Sequence, residues 1–355
     1  MLIKEMPLRR IVAEILRCGG SENAEAELVS EHLVDANLAG HDSHGVGMIP
    51  KYVEDLQAGL VKPNMRPSLA KDDGAVMIFD GGRGYGRPVG GEAMAAGLER
   101  CRDTGVVLLA LRRVHHLGRI GAYGEQSIAA GLVSLHFVNV TDHLPLVAPF
   151  GGRDARFSTN PICVAVPGTD STQPVLLDMA TSRIAFGKVK VAHNAGKRVP
   201  DGSLIDADGE PTDDPGAMFT NPRGTLLPVG EHKGYGLALI CDLLGGVLTG
   251  GGTMQPENPR LGGIVNNMLT VIIDPARLVE PAWLNAELDA VVAFVKASRP
   301  GKSGGSVLVA GDPERMVRSE RQRDGIPMND TTWEEIVQAA QEVGLPREQV
   351  ESMLA

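Results

Sequence analysis

Five short runs between residues 105 and 274 read as buried strands, and amphipathic helical patterns lie on either side of them. The runs are GVVLLAL (105–111), LVSLHFVNV (132–140), ICVAV (162–166), PVLLDMA (174–180) and MLTVIID (268–274). Each is apolar or β-branched and bounded by Gly or Pro, the texture of strands covered on both faces. Helical patterns at 121–130 and 235–248 separate some of them. The second is apolar nearly all round and reads as a core helix. Upstream, Ser21 can cap a helix over 22–39 that Gly40 ends, with Val29, Leu33 and Ala36 on one face. Residues 88–101 form another helical pattern, with Met94, Leu98 and Cys101 on one stripe. The tail returns to amphipathic helices at 286–297, 313–323 and 332–343. The pattern predicts an α/β (α+β) chain in which both chain ends build a helical layer around a central sheet domain.

Bulk properties narrow the function classes. The 355 residues are 43% apolar, ample for a core, and the net charge is −10. No stretch is densely basic, which excludes nucleic acid as an expected partner. The opening MLIKEMPLRR has no apolar run behind it, so no signal peptide is expected. The segment 237–248 is too short to span a bilayer. Cys18, Cys101, Cys163 and Cys241 form no CxxC pair, and reduced thiols in a cytoplasmic protein are expected. Residues 199–215 carry two Asp-Gly pairs and read as an exposed turn-rich loop or hairpin.

Three segments combine histidine with glycine: GHDSHG (40–45), HHLGRIG (115–121) and GEHKGYG (230–236). Histidine exchanges protons near neutral pH, and glycine lets a ligand approach the backbone. His116 follows a strand and precedes a Gly-rich helix start, where α/β proteins place ligands. His41 and His44 are three apart, which on a helix would suit a metal. The flanking Gly40 and Gly45 argue for a loop, and no third ligand stands at metal spacing. The cluster GGRGYG (81–86) has Arg87 where a dinucleotide fingerprint has its third glycine. It reads as a tight strand-to-helix turn, so any nicotinamide cofactor is held without an ordinary Rossmann turn.

Several motifs in fixed order resemble the type-2 malate/L-lactate dehydrogenase family, and the resemblance runs over essentially the whole chain. They are LAGHDSHGVGMIPKYV (38–53), HHLGRIG (115–121), VAPFGG (147–152), STNPICVAVP (158–167), LLDMATS (176–182), EHKGYGLAL (231–239) and RSERQRDGIP (318–327). Within the family the chain is most similar to the bacterial hydroxycarboxylate dehydrogenase branch. The resemblance implies a non-Rossmann fold with a central mixed sheet domain for the cofactor at 116–285. A helical substrate domain, 1–115 with 286–355, would close over it. It implies a homodimer or higher homo-oligomer, and NAD(H) ahead of NADP(H).

By the same resemblance, the substrate is a 2-oxo or 2-hydroxy acid, met by Ser43, His44, Met48, Tyr52 and Arg119. His116 is the expected proton donor, with His44 orienting the substrate and Asp142 polarising His116. Cofactor contacts are expected from His44, Gly118, Arg119, Ile120, Asp178, Met179, Ala180, Thr181, Ser182, His232, Lys233, Asn266, Gly311 and Asp312, and no metal is expected. One position departs from the family. Many relatives carry an arginine where this chain has Met48, so Arg119 or another cation would have to grip the carboxylate. A more apolar pocket would also suit a bulkier 2-oxo acid. The alternatives are reduction of a cyclic imine of the piperideine-carboxylate type, a metal-dependent hydrolase using His41, His44 and His116, and a catalytically silent ligand-binding relative.

Overall fold

A computed structural model describes residues 1–302 and 304–354. Its centre is a seven-stranded mixed sheet of β1 (Ser68–Asp73), β2 (Val76–Asp80), β3 (Val106–His115), β4 (Val133–Thr141), β5 (Ile162–Val166), β6 (Val175–Met179) and β7 (Val265–Ile273). The spatial order is β1-β2-β3-β7-β4-β5-β6. Only β2 and β3 run parallel; the other pairs are antiparallel. All five expected runs are strands. The added pair at the edge, β1 and β2, includes the exposed polar segment SLAKDD, whose composition hides it.

β7 sits in the middle with both faces covered, and its two asparagines shape the turn after β3. The register slips between Asn266 and Met268, so Arg112 and Arg113 together face one residue, Asn267. Arg113 takes a φ of 54° there. The Asn267 side-chain oxygen accepts the Arg113 N–H, and Asn266 accepts the Leu117 N–H, so the bulge leaves neither donor unpaired. This local kink delivers His115 and His116 to the end of the sheet.

The glycine cluster at 81–86 is the expected strand-to-helix turn. It leads into α4 (Gly86–Thr104) alongside the end of β3. A Cβ on Gly86 would stand 2.0 Å from the His116 carbonyl oxygen, so only glycine allows this approach. α4 and α5 (Gly121–Ala129) pack on the sheet around Met94, Leu109, Leu117 and Tyr123. A second core comes from both chain ends: α1 (Glu5–Cys18), α2 (Asn23–Leu38) and α3 (Ile49–Gln57) meet α10 (Asp330–Glu342) around Leu8, Leu33, Ile49 and Ile336. The loop expected at 199–215 contains a hairpin, Leu204–Ile205 against Pro211–Thr212, over a small third core that includes Val189 of α6 (Phe186–Asn194).

Two local expectations are corrected. Ser21 does not cap α2; its hydroxyl donates to the Glu25 carboxylate and the helix starts at Asn23. The apolar pattern at 235–248 is no core helix. It becomes α7 (His232–Cys241) followed by a π-helical turn at Asp242–Leu248, and Leu237, Ile240, Leu243, Val247 and Leu248 are exposed. The second tail pattern is α9 (Asp312–Asp324). The first is α8 (Pro281–Lys296), which also leaves Trp283 and Phe294 exposed.

Candidate active site

The segment 41–48 and the end of β3 face each other across a cavity of about 700 Å³. Two short 3₁₀ turns, Asp42–His44 and Val46–Met48, shape the first wall. Arg321 of α9 clamps Asp42 through both guanidinium nitrogens, at 2.6 and 2.9 Å. Asn37 donates to Asp42 and accepts the Val46 N–H, filling the space a Gly45 side chain would need. The helical layer thus fixes the loop from both chain ends.

Across the cavity, the His44 and His116 rings stack, 5.5 Å between centroids at 15°. The Tyr52 hydroxyl lies 2.9 Å from His116 Nδ1. Tyr52 is buried, and among the described residues no second acceptor lies within its reach, so its O–H donates to Nδ1. The neutral ring then carries its proton on Nε2. That nitrogen has no hydrogen-bond partner among the described residues, and His116 lines the cavity. Burial, followed by the nearby charges of His44 and His115, holds His116 well below the usual histidine range. Burial likewise pushes the Tyr52 phenol up, keeping it a neutral donor.

His115 has a different situation. Its Nε2 meets Asp55 at 2.9 Å, both side chains fully buried, and Asp55 also pairs with Lys51. The Tyr52 ring packs edge-on against it. Behind His116, the Leu117 carbonyl accepts from the Tyr123 hydroxyl and bonds His32 Nε2, at 3.0 Å each. Burial, and then the charges of Arg87 and Arg119, pushes His32 down to about 3.

The other expected residues divide. Ser43, His44, Met48, His116, Gly118, Ile120 and Asn266 line the cavity, and Ser43 Oγ lies 3.1 Å from His44 Nδ1. Asp142 is a correction: its carboxylate is taken by Arg83 and the Leu261 N–H, and Tyr52 holds the His116 nitrogen instead. Arg119 is another. It is buried, paired with Glu125, and does not line the cavity. The three histidines of the hydrolase alternative are not arranged as ligands, since His44 and His116 meet face to face and His41 faces Glu314 at 3.5 Å.

Asp178, Met179, Ala180, Thr181 and Ser182 run off the end of β6. Thr181 and Ser182 spend their hydroxyls on backbone carbonyls, and Asp178 accepts the Gly121 N–H. Burial raises the Asp178 carboxyl. His232 and Lys233 begin α7, whose N-terminus no side chain caps; Gly230 and Glu231 before it each hold a φ of 57°. Gly311 precedes α9, and Asp312 is occupied by Lys296, Arg315 and the Val309 N–H. Sequence reasoning missed three cationic wall residues, Lys51, Lys190 and Arg223, and most of the apolar wall, including Val138, Val140, Leu144, Leu146 and Phe186. Nothing in their spacing marks them.

Residues 3–337 match the family model described as malate/L-lactate dehydrogenase. The chain is 46% identical over 347 residues to hydroxycarboxylate dehydrogenase B of Escherichia coli (strain K12), covering 97% of this chain and 95% of that one. It is 41% identical over 345 residues to an L-lactate dehydrogenase of Cupriavidus necator, covering 97% and 99%. Among solved structures, an E. coli protein assigned as a malate/lactate dehydrogenase superposes with a TM-score of 0.95 at 44% identity, covering 99% and 98% of the two chains.

His32 and His136, both buried, generate a stability prediction. Burial pushes His136 to about 3, as it does His32. An unfolded histidine titrates near 6.5, so between these values the unfolded chain binds more protons than the folded one. This contribution is complete above about pH 6.5 and is lost as pH falls, by up to ~1.4 kcal/mol per pH unit for each ring. The urea midpoint is therefore expected to fall between pH 7 and pH 5, and to fall less steeply in His136→Gln. Equal slopes in the two proteins would contradict this reading.

Proposed function

Since the chain belongs to the malate/L-lactate dehydrogenase family, it is an oxidoreductase acting on 2-hydroxy or 2-oxo acids, and we propose that it interconverts bulky apolar members of that class. The observation that carries this reading is His116, held at Nδ1 by Tyr52 with Nε2 left for a ligand in a cavity walled by Met48, Val140, Leu146 and Phe186. We assign His116 as the proton carrier and His44, stacked on it, as the group that orients the substrate.

The residues fit a nicotinamide dinucleotide. The uncapped start of α7, with Lys233 in no ion pair among the described residues and open space beside Gly236, suits anionic phosphates. Gly118, Ile120 and Asn266 on the cavity wall would hold the nicotinamide end, and segment 178–182 would lie between. Bound there, the nicotinamide supplies or accepts the hydride at the substrate's C2. We place the cofactor in the sheet domain and the closing surface in the helical layer. NAD(H) stands ahead of NADP(H) on the resemblance to the hydroxycarboxylate dehydrogenase branch.

The chain's own part is proton management. In reduction, His116 Nε2–H donates to the carbonyl oxygen and gives up its proton as the alkoxide develops. Before that transfer the ring is doubly protonated, and Nδ1–H donates to the Tyr52 oxygen. With Tyr52 then accepting, its own O–H has no acceptor among the described residues, which disfavours the doubly protonated ring in the free protein. The substrate carboxylate brings a negative charge that favours the protonated ring.

Turnover of a panel of 2-oxo acids and a cyclic imine, with NADH and NADPH, tests the proposal. Phenylpyruvate is expected to rival or exceed oxaloacetate in kcat/KM, because a buried apolar group contributes roughly 1–3 kcal/mol. Met48→Arg is expected to shift the ratio toward oxaloacetate. His116→Ala is expected to lower kcat by about 10²-fold or more. Strong native preference for oxaloacetate, or an unchanged ratio in Met48→Arg, would defeat the bulky-substrate reading. Turnover of the imine alone would favour a reductase of C=N bonds, and no turnover at all a silent relative.

We also propose a homodimer or larger homo-oligomer in a reducing, cytoplasmic compartment. The four free thiols suit that compartment. α7, its π-helical extension and α8 leave Leu237, Ile240, Leu243, Val247, Leu248, Trp283 and Phe294 exposed, side chains suited to a contact between subunits. Light scattering should give at least twice the chain mass of 37.5 kDa. A monomer at micromolar concentration would contradict this.

A further inference from the structure

Resting on the 2-oxo acid reading, we propose that Arg223 is the cation that grips the substrate carboxylate, in place of the arginine that Met48 replaces. Three Lys or Arg side chains line the cavity among the described residues: Lys51, Lys190 and Arg223. Lys51 is neutralised by Glu54 and Asp55, at 2.6 and 2.9 Å. Lys190 is paired with Glu335 at 3.1 Å. Arg223 has no carboxylate within ion-pair distance among the described residues. Its one hydrogen bond runs from Nη2 to the Pro145 carbonyl, 2.5 Å away. The guanidinium is half-buried, and its remaining donors are left for an anion that enters the cavity.

The backbone around Arg223 is fixed, so the side chain is aimed rather than loose. The Gly224 N–H donates to the Ala217 carbonyl, and the next two residues, Thr225–Leu226, pair with Leu204–Ile205. Leu226 is also bonded in both directions to the segment after β4, through Leu146 and Ala148. The Pro145 bond pins the guanidinium against that same segment. His143, on that segment, lines the same cavity as His116 and Arg223, and burial, helped by the Arg223 charge, lowers its pKa. The planar fork of Arg223 matches a carboxylate bidentately, which a lysine's single ammonium does not.

An unpaired cation here could instead serve a cofactor phosphate, and the test separates the two. NADH affinity is measured by fluorescence, and oxamate binding to the NADH complex by calorimetry, in wild type, Arg223→Met and Arg223→Lys. Steady-state KM for phenylpyruvate is measured beside its amide. Arg223→Met is expected to weaken oxamate and raise the phenylpyruvate KM roughly 10- to 100-fold, the scale of a lost charge-assisted pair. NADH affinity should be unchanged, Arg223→Lys should recover part of the loss, and the preference for acid over amide should collapse in Arg223→Met. Unchanged oxamate binding in Arg223→Met overturns the inference, as does a wild type that binds no oxamate. Equal weakening of NADH and oxamate also overturns it, assigning Arg223 to the cofactor. Oxamate binding that depends on Arg223 without turnover of any 2-oxo acid would uphold the anion site while refuting the dehydrogenase reading.

Discussion

The bond from the Tyr52 hydroxyl to His116 Nδ1 joins the two layers of the molecule at the point where the chemistry is proposed to occur. Tyr52 belongs to α3 and so to the core built by the chain ends, whereas His116 leaves the central sheet. Each partner is buried, so each would carry an unsatisfied polar atom if the bond were lost while the layers stayed packed. The surrounding structure holds both ends. The Leu117 carbonyl receives Tyr123 and His32, the Gly86 backbone fits against the His116 carbonyl, and the Asp55–His115 pair lies beside the Tyr52 ring. A residue restrained on so many sides keeps one ring orientation, which is what a proton carrier needs.

Charge follows the same logic of compensation. Arg321 neutralises Asp42 and thereby holds the loop that carries His44, and this is how the distant tail takes part in the cavity wall. Lys51 and Lys190 are spent on neighbouring carboxylates. The cavity is then apolar for most of its surface, with histidines that stay neutral until an anion arrives. Such a surface discriminates by the shape and apolar area of the substrate's side chain more than by a second negative charge.

Much of this was legible in the sequence, for identifiable reasons. The five apolar runs and the helices at both ends depend on local periodicity, which survives without an alignment. His116 could be singled out because a strand end, a histidine pair and a glycine turn are contiguous. The errors lie where partners are distant or where one pattern has two meanings. An apolar helix can face a core or a free surface, and α7 does the latter. Asp142 and Arg119 sit in the right segments, yet their charges are consumed by Arg83 and Glu125, pairings no spacing reveals. Asn267 stabilises a bulge in a strand it joins only in space. Arg223 was invisible for the opposite reason: what distinguishes it is the absence of a partner among the described residues.

The most direct test of the central claim is a pH titration of the ring nitrogens of His116 by NMR in ¹⁵N-histidine-labelled protein, assigned by comparison with His116→Ala. The account predicts a ring that is still neutral at the pH where an ordinary histidine titrates, protonated on Nε2 in the free protein, and that loses this tautomer preference in Tyr52→Phe. Titration at the ordinary histidine value, or a neutral ring protonated on Nδ1, would contradict it.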